Sequence, residues 1–375
     1  MVPPWRNRPM SHATRVALAA AFTALAAAPA GAEITIGSAG PLSGQERGGG
    51  EQLRRGAEMA VADLNARGGV LGQRIRLTVV DDACDPDQAV AVANQLVSER
   101  VAMVSGHLCS GSSIPASKVY TKSGIVMISG ASTNPKLTDE GGPNVFRVIG
   151  RDDQQGVVAG NYLADRWGTK KIAILHDGQV YGKGLADETR KRLSRRGVQA
   201  AMYEQYKPGA KDYSELVAKM KDAGIAVAYV GGCATEAALI LRQARDQGHG
   251  LELVSGDAIS NDEFWLITGP AGEGTVFTFG PDPRRNPQAS PIVARFRAAK
   301  YEPEGYTLYA YGAIQAWAQA VARAGSLESA KVIAALRSHQ FETVLGKIGF
   351  DKKGDVTSTG WVWYVWTHGK YAPKE

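Results

Sequence analysis

Metal-binding residues are scarce in this chain: 375 residues carry 3 cysteines and 6 histidines. The cysteines lie far apart and no histidine pair stands at ligand spacing, so no metal site is expected. Beyond residue 32 no stretch is long and apolar enough to cross a bilayer. Internal repeats of short period and low-complexity segments are also missing, which leaves a globular chain. A nucleic-acid signature is lacking as well. Losing the three arginines and no acid of residues 1–32 takes the formal charge from +6 to +3. The densest basic run, Arg190-Lys191-Arg192 with Arg195-Arg196, lies in a polar helical stretch and reads as a solvated face. Gly68-Gly69-Val70-Leu71-Gly72 follows a helix and precedes a strand, the reverse of a nucleotide-binding loop, and reads as a helix end and turn. No cofactor is expected.

What is present begins with Arg6, Arg8 and Arg15, an apolar stretch from Val16 to Ala28, and Pro29-Ala30-Gly31-Ala32 before Glu33. This is the pattern of a secretory signal peptide over 1–32, with Met10 an alternative start. No cysteine follows the cleavage site, so a lipid anchor is not expected, and the mature chain should be soluble and periplasmic. In an oxidising compartment Cys84 and Cys109, each ending a predicted strand, are either disulfide partners or two buried thiols, and Cys233 is left over.

The mature length exceeds what one core usually holds, so two domains are expected. Strand-like runs (34–38, 75–80, 101–105, 125–129, 172–176, 226–231 and 253–255) alternate with helix-like ones. This alternation predicts an α/β fold with parallel sheets and crossover helices. Leu53, Ala57, Ala60, Val61 and Leu64 share one helical face, and Asp85-Pro86 starts a helix that turns Ala89, Val92, Leu96 and Val97 inward. In such sheets ligands sit at the carboxyl ends of strands, where Ser110 and the segment from Ser129 to Thr133 fall. Ser110 follows Gly106-His107-Leu108-Cys109 at a helix start, where unpaired N–H groups favour an anion; a serine that only caps its helix is the alternative.

Together these residues resemble the leucine/isoleucine/valine-binding proteins, the periplasmic substrate-binding components of branched-chain amino-acid ABC importers. The resemblance runs through Asn65-Ala66-Arg67-Gly68-Gly69, Asp81-Asp82-Ala83-Cys84-Asp85-Pro86, Gly106 to Ser110, Met127-Ile128-Ser129, Thr133-Asn134-Pro135, His176-Asp177, Tyr181-Gly182, Leu241 to Arg245, Phe350-Asp351 and Gly354-Asp355. It implies a Cys84–Cys109 disulfide and two Rossmann-like lobes joined by a three-crossing hinge, as in type I periplasmic binding proteins. Crossings are expected near Arg151, Gly280 and Thr359, giving lobe 1 as 33–151 with 281–358 and lobe 2 as 152–280 with 359–375. The last crossing leads into Trp361-Val362-Trp363-Tyr364-Val365-Trp366, read as a strand buried on both faces rather than an aromatic ligand box.

Carried over residue by residue, the resemblance puts a ligand carboxylate on Ser110 and Thr133. The ligand ammonium falls on the Ala131 carbonyl, Thr133 and Asp257, with Tyr181 lining the pocket from the second lobe. Asp257 as a helix cap and Tyr181 as a turn aromatic are the alternatives. Cys233 stands where the family has a second tyrosine, and the aromatic that covers the ligand side chain is replaced near Gly49. Arg47 and Arg54 lie close by in sequence, which raises a distal acid on the ligand as one reading and solvent-exposed arginines as the other. The expected partners are a small-molecule ligand, an amino acid of the branched-chain or a related kind, and a membrane permease, with the protein a monomer and no nucleic acid bound. Another solute (an amide, urea or an aromatic acid) or a sensor role is the alternative. A hydrolase reading would need Ser110, His107 and Asp81 as a triad, but no Gly-x-Ser-x-Gly elbow surrounds Ser110.

Overall fold

A computed structural model describes Met1, residues 33–358 and residues 360–374. The rest of the expected signal segment and Thr359, at the expected third crossing, lie outside the described residues.

In the first lobe, strands β1 (Ile34–Gly40), β2 (Ile75–Asp81), β3 (Met103–Gly106), β4 (Val126–Ser129) and β5 (Val145–Arg147) form an all-parallel sheet of order β2-β1-β3-β4-β5. Helices α1 (Arg47–Ala66), α2 (Pro86–Ser98), α3 (Ser110–Ser123) and α4 (Lys136–Asp139) connect them. The face expected for α1 turns inward, with Leu53, Ala57, Ala60 and Val61 buried and Leu64 half-buried. Asp85 caps α2 by accepting from Gln88 N at 2.8 Å, and Pro86 fills the first helical position as expected.

The chain then runs through α5 (Asp152–Trp167), β6 (Ile172–His176), α6 (Val180–Arg195), β7 (Met202–Gln205), α7 (Ser214–Asp222), β8 (Val227–Gly231), α8 (Ala234–Asp246), β9 (Glu252–Ser255), α9 (Asp262–Thr268) and β10 (Val276–Phe279). It returns to the first lobe as α10 (Ser290–Ala298), α11 (Thr307–Ala324), α12 (Ser329–Ser338) and the hairpin β11 (Phe341–Thr343) and β12 (Gly346–Ile348). It ends on β13 (Val362–Thr367) and β14 (Lys370–Pro373), which join the second sheet, of order β14-β13-β10-β9-β8-β6-β7. Strands β6 to β10 are parallel, while β13 and β14 run antiparallel on one edge. Helix α11 is buried on nearly every side between α1 and the first sheet, which is why its sequence is rich in alanine and apolar residues with little polar face. In β13, Tyr364 and Trp366 are buried while Trp363 and Val365, and Trp361 just before the strand, are half-buried. One face of the tryptophan-rich strand is therefore core and the other only partly covered, short of the burial on both faces expected, and Trp366 donates to the Ile259 carbonyl at 3.3 Å.

Strand order reverses between β1 and β3 in the first sheet and between β6 and β8 in the second. Crossovers leave in opposite directions at those two points, so each sheet opens a crevice at its carboxyl edge. The chain ends at these edges are Gln45 to Gly49 and Leu108 to Gly111 in one lobe, and Asp177 to Tyr181 and Cys233 to Glu236 in the other.

A Cys84–Cys109 disulfide spans the end of β1, with Cα atoms 5.5 Å apart and a sequence separation of 25. Ala83 and Cys84 adopt left-handed backbone (φ 49° and 56°), fixed by Asp81 Oδ1 accepting from Ala83 N and Asp82 Oδ1 accepting from Cys84 N. Replacing both cysteines with serine should lower unfolding free energy by about 3 kcal/mol, since the closed loop restricts the unfolded chain. Urea titration of the double variant, matched by the reduced parent protein, measures this.

At the end of the first lobe's sheet, Arg147 is fully buried, its Nε donating to Asp355 Oδ1 at 2.6 Å and its other nitrogens to the Ser132 and Asn134 carbonyls and the Thr138 hydroxyl. Arg151, where α5 begins, donates to the second Asp355 oxygen at 2.8 Å. One carboxylate thus holds both arginines, and through Arg147 the segment after β4 is tied to the residue before α5.

Candidate functional site

A cavity of about 460 Å³ lies between the two strand-order reversals. Gln45, Glu46, Gly49, Leu108 to Gly111 and Ala131 line it from the first lobe, with the Cys84–Cys109 bridge beside them. Asp177 to Tyr181, Pro208, Cys233, Glu236, Asp257, Ala258 and Asn261 line it from the second, and Tyr306 closes one end.

Of the residues expected from the sequence, Ser110, Ala131, Tyr181, Cys233 and Asp257 come together on this cavity. Thr133 stands behind Ala131, 1% exposed, outside the cavity lining and with its hydroxyl unpartnered. Its carbonyl accepts from Asp152 N at 2.9 Å. Ser110 is the first residue of α3, whose cap is Cys109 with no side-chain bond, so the serine is not a helix cap. Its hydroxyl instead accepts from Asn134 N at 3.2 Å. Helix starts leave N–H groups without intrahelical acceptors, and the dipole favours negative charge there.

Asp257 follows β9 and is 1% exposed. Its Oδ1 accepts from Gln155 Nε2 at 3.0 Å and from the Tyr181 hydroxyl at 2.9 Å; its Oδ2 accepts from the Tyr306 hydroxyl at 2.7 Å. Burial raises its pKa, and these three donors oppose the rise. Tyr181 is in the first turn of α6, but its hydroxyl is committed to Asp257, so it is more than a turn aromatic. Behind Asp257, the Asp152 carboxyl is fully buried with neither oxygen partnered. Burial and then the nearby Asp257 hold its pKa well above the usual carboxylate range.

Cys233 is the cap residue of α8, a free and half-buried thiol whose pKa burial pushes up. A side chain at Gly49 would need Leu108 to move: a Cβ there would lie 2.9 Å from a Leu108 methyl. The arginines are elsewhere. Arg54 pairs with Glu51 and Glu58 along α1, Arg47 is exposed, and neither lines the cavity. A distal acid on the ligand therefore finds no cation among the described lining residues.

The hydrolase geometry is not formed. His107 Nδ1 faces Asp82 at 2.5 Å rather than Asp81, and its Nε2 faces the Tyr120 hydroxyl at 2.9 Å rather than Ser110.

Sequence reasoning missed Gln155, Tyr306, Glu46, Asp177 and Glu236. The second lobe's strand ends, read as the first lobe's were, would have found Asp177 and Glu236. Tyr306 reaches Asp257 across 49 residues, which no local pattern signals.

A family model described as periplasmic binding protein matches residues 33–370. The chain is 47% identical over 339 residues to a Leu/Ile/Val-binding protein homolog of Brucella suis, covering 90% of this chain and 91% of that one. It is 39% identical to a leucine-, isoleucine-, valine-, threonine- and alanine-binding protein of Pseudomonas aeruginosa, covering 89% of this chain and 90% of that one. Among solved structures, a leucine-binding protein of Thermotoga maritima is similar at TM-score 0.85 and 25% identity, covering 91% of this chain and 98% of that one. A branched-chain amino-acid transporter substrate-binding protein of Streptococcus pneumoniae, in complex with isoleucine, is similar at TM-score 0.83 and 25% identity, covering 92% and 99%. With its two lobes of parallel sheet and the cavity between them, the chain belongs to the periplasmic binding protein family.

Proposed function

We propose that this protein is the extracytoplasmic solute-binding component of an ABC importer, which captures an amino acid between its lobes and delivers it to a membrane permease. The observation that carries the reading is the pairing, on one cavity, of the buried Asp257 carboxyl with the start of α3 at Ser110. A zwitterion leaves water at tolerable cost only where both of its charges are met. Its carboxylate is assigned to the Ser110 hydroxyl and the adjoining first-turn N–H groups. Its ammonium is assigned to the Ala131 carbonyl and Asp257, while Thr133, expected to meet both charges, stands behind Ala131 and outside the lining. The relatives named for amino acids support the same ligand class.

The lobes divide at residues 151, 280 and 358, and ligand biases closure about those crossings. Asn134 Nδ2 of the first lobe donates to the Val180 carbonyl of the second at 2.9 Å, a contact that closure makes and opening breaks. The protein performs no chemistry on its ligand, acts as a periplasmic monomer and needs no cofactor.

A thermal-shift screen of the exported chain against the proteinogenic amino acids, with simple carboxylates, amides and urea alongside, tests this reading. An amino acid at 100 times its Kd should add about 2.7 kcal/mol of stability. A response to carboxylates or amides alone would refute the zwitterion site.

A further inference from the structure

The side-chain end of the cavity carries charge of one sign. Among the described residues, five carboxyl residues line the cavity (Glu46, Asp85, Asp177, Glu236 and Asp257), and no lysine, arginine or histidine does. Asp257 is committed to three donors and Asp85 caps α2. Glu46, Asp177 and Glu236 remain, gathered around Cys233 from three elements: the residue before α1, the end of β6 and the first turn of α8.

None of the three has a cationic partner among the described residues. Glu236 is 3% exposed, and its one hydrogen bond is from Gly209 N at 3.0 Å. Asp177, 5% exposed, accepts from Gln179 N at 2.8 Å. A second sign of an incomplete site stands beside them. The Tyr206 side chain is 4% exposed, and its hydroxyl has no partner. That hydroxyl points at Gly232, the residue before Cys233, where a Cβ would also lie 3.5 Å from Asp177 Oδ2.

We propose that the ligand is an α-amino acid whose side chain ends in a cation, held by Glu46, Asp177 and Glu236. The inference rests on the amino-acid reading above, and it narrows the substrate class. The side-chain stem would lie against Leu108, Val180 and Pro208, which line the cavity. An aliphatic side chain in the same place would strip water from three carboxyls and return no partner, whereas an ammonium or guanidinium meets them in charge-assisted bonds.

Burial pushes Glu46 up to about 7, with Glu236, Glu263 and Asp177 adding to the rise and Cys233 opposing it. Burial also pushes Asp177 up to about 6, with Glu236 adding and the Gln179 N–H opposing. Both acids take up protons as pH falls through 7 and 6, so a cationic ligand should bind more weakly at pH 5.5 than at pH 8 and release protons on binding near neutrality.

Calorimetry of the exported chain with L-lysine, L-ornithine and L-arginine, against L-leucine, L-valine and the neutral isostere L-norleucine, tests the proposal. The expected result is at least one basic amino acid bound about tenfold or more tighter than norleucine, with that ratio falling about tenfold in Glu236→Gln and in Glu46→Gln. The parent protein should also bind the basic ligand more tightly as pH rises from 5.5 to 8, a readout that needs no variant. Binding of aliphatic amino acids without basic ones overturns the cation and leaves the zwitterion reading standing. Binding of no amino acid at all, with a response to carboxylates or amides, overturns both.

Discussion

Asp257→Ala should weaken amino-acid binding by about 2–5 kcal/mol, roughly thirty-fold to several-thousand-fold in Kd. The change removes the only acid that the cavity presents with three converging donors, so an arriving ammonium loses its counter-charge. The Gln155 amide and the Tyr181 and Tyr306 hydroxyls lose their acceptor in the same step. Folding should suffer less than binding, because Asp257 lines the cavity, where water can take the place of the carboxyl and accept from the three donors. Calorimetry with the ligand found in the screen reads the affinity, and a thermal melt without ligand reads the fold. Equal losses in both would reduce Asp257 to a structural residue and refute its role toward the ammonium.

Asp355→Ala should cost about 3–5 kcal/mol of stability, because it leaves a buried guanidinium without its counter-ion. Arg147 is fully buried and keeps only the Ser132 and Asn134 carbonyls and the Thr138 hydroxyl. Arg151 retains Asp139 and Asp153 and is less affected. Urea or guanidinium titration measures the loss. The paired change Arg147→Met with Asp355→Leu should recover part of it, since removing both charges leaves neither unpaired. A loss below 1 kcal/mol for the single variant would show that Arg147 does not depend on Asp355 as its counter-ion.

The parts of the fold legible in the sequence were those with a local cause. Alternating apolar runs located β1 to β4, β6, β8 and β9 to within two residues, because buried parallel strands read as short continuous hydrophobic stretches. The Asp85-Pro86 cap, the inward face of α1 and the strand-end position of Ser110 were local in the same sense. Strands β5, β7 and β10 were not read: β5 is 3 residues long, and β7 is an edge strand with no buried residue. Helix α11 was missed because a helix buried on most sides has no polar stripe to mark it.

At the site the division is similar. Ser110, Ala131, Tyr181, Cys233 and Asp257 came from a motif-level resemblance and meet on one cavity. The sign of the charge at the far end did not follow from sequence, where Arg47 and Arg54 stood closest to the glycine-rich segment. In the structure α1 turns Arg54 onto Glu51 and Glu58, while strand ends from the other lobe supply Asp177 and Glu236.

By itself the sequence determined the export pattern, the α/β class, the family likeness and the residues that begin each lobe's share of the pocket. Each of these depends on composition, periodicity or contiguous motifs. Only the tertiary structure decided that Tyr306 and Gln155 complete the Asp257 shell, that Asp355 bridges two arginines, and that among the described residues the cavity is lined by acids without a base. Those are contacts between residues 49 to 208 positions apart, which only the folded chain brings together, and the Tyr306–Asp257 bond among them joins the two lobes.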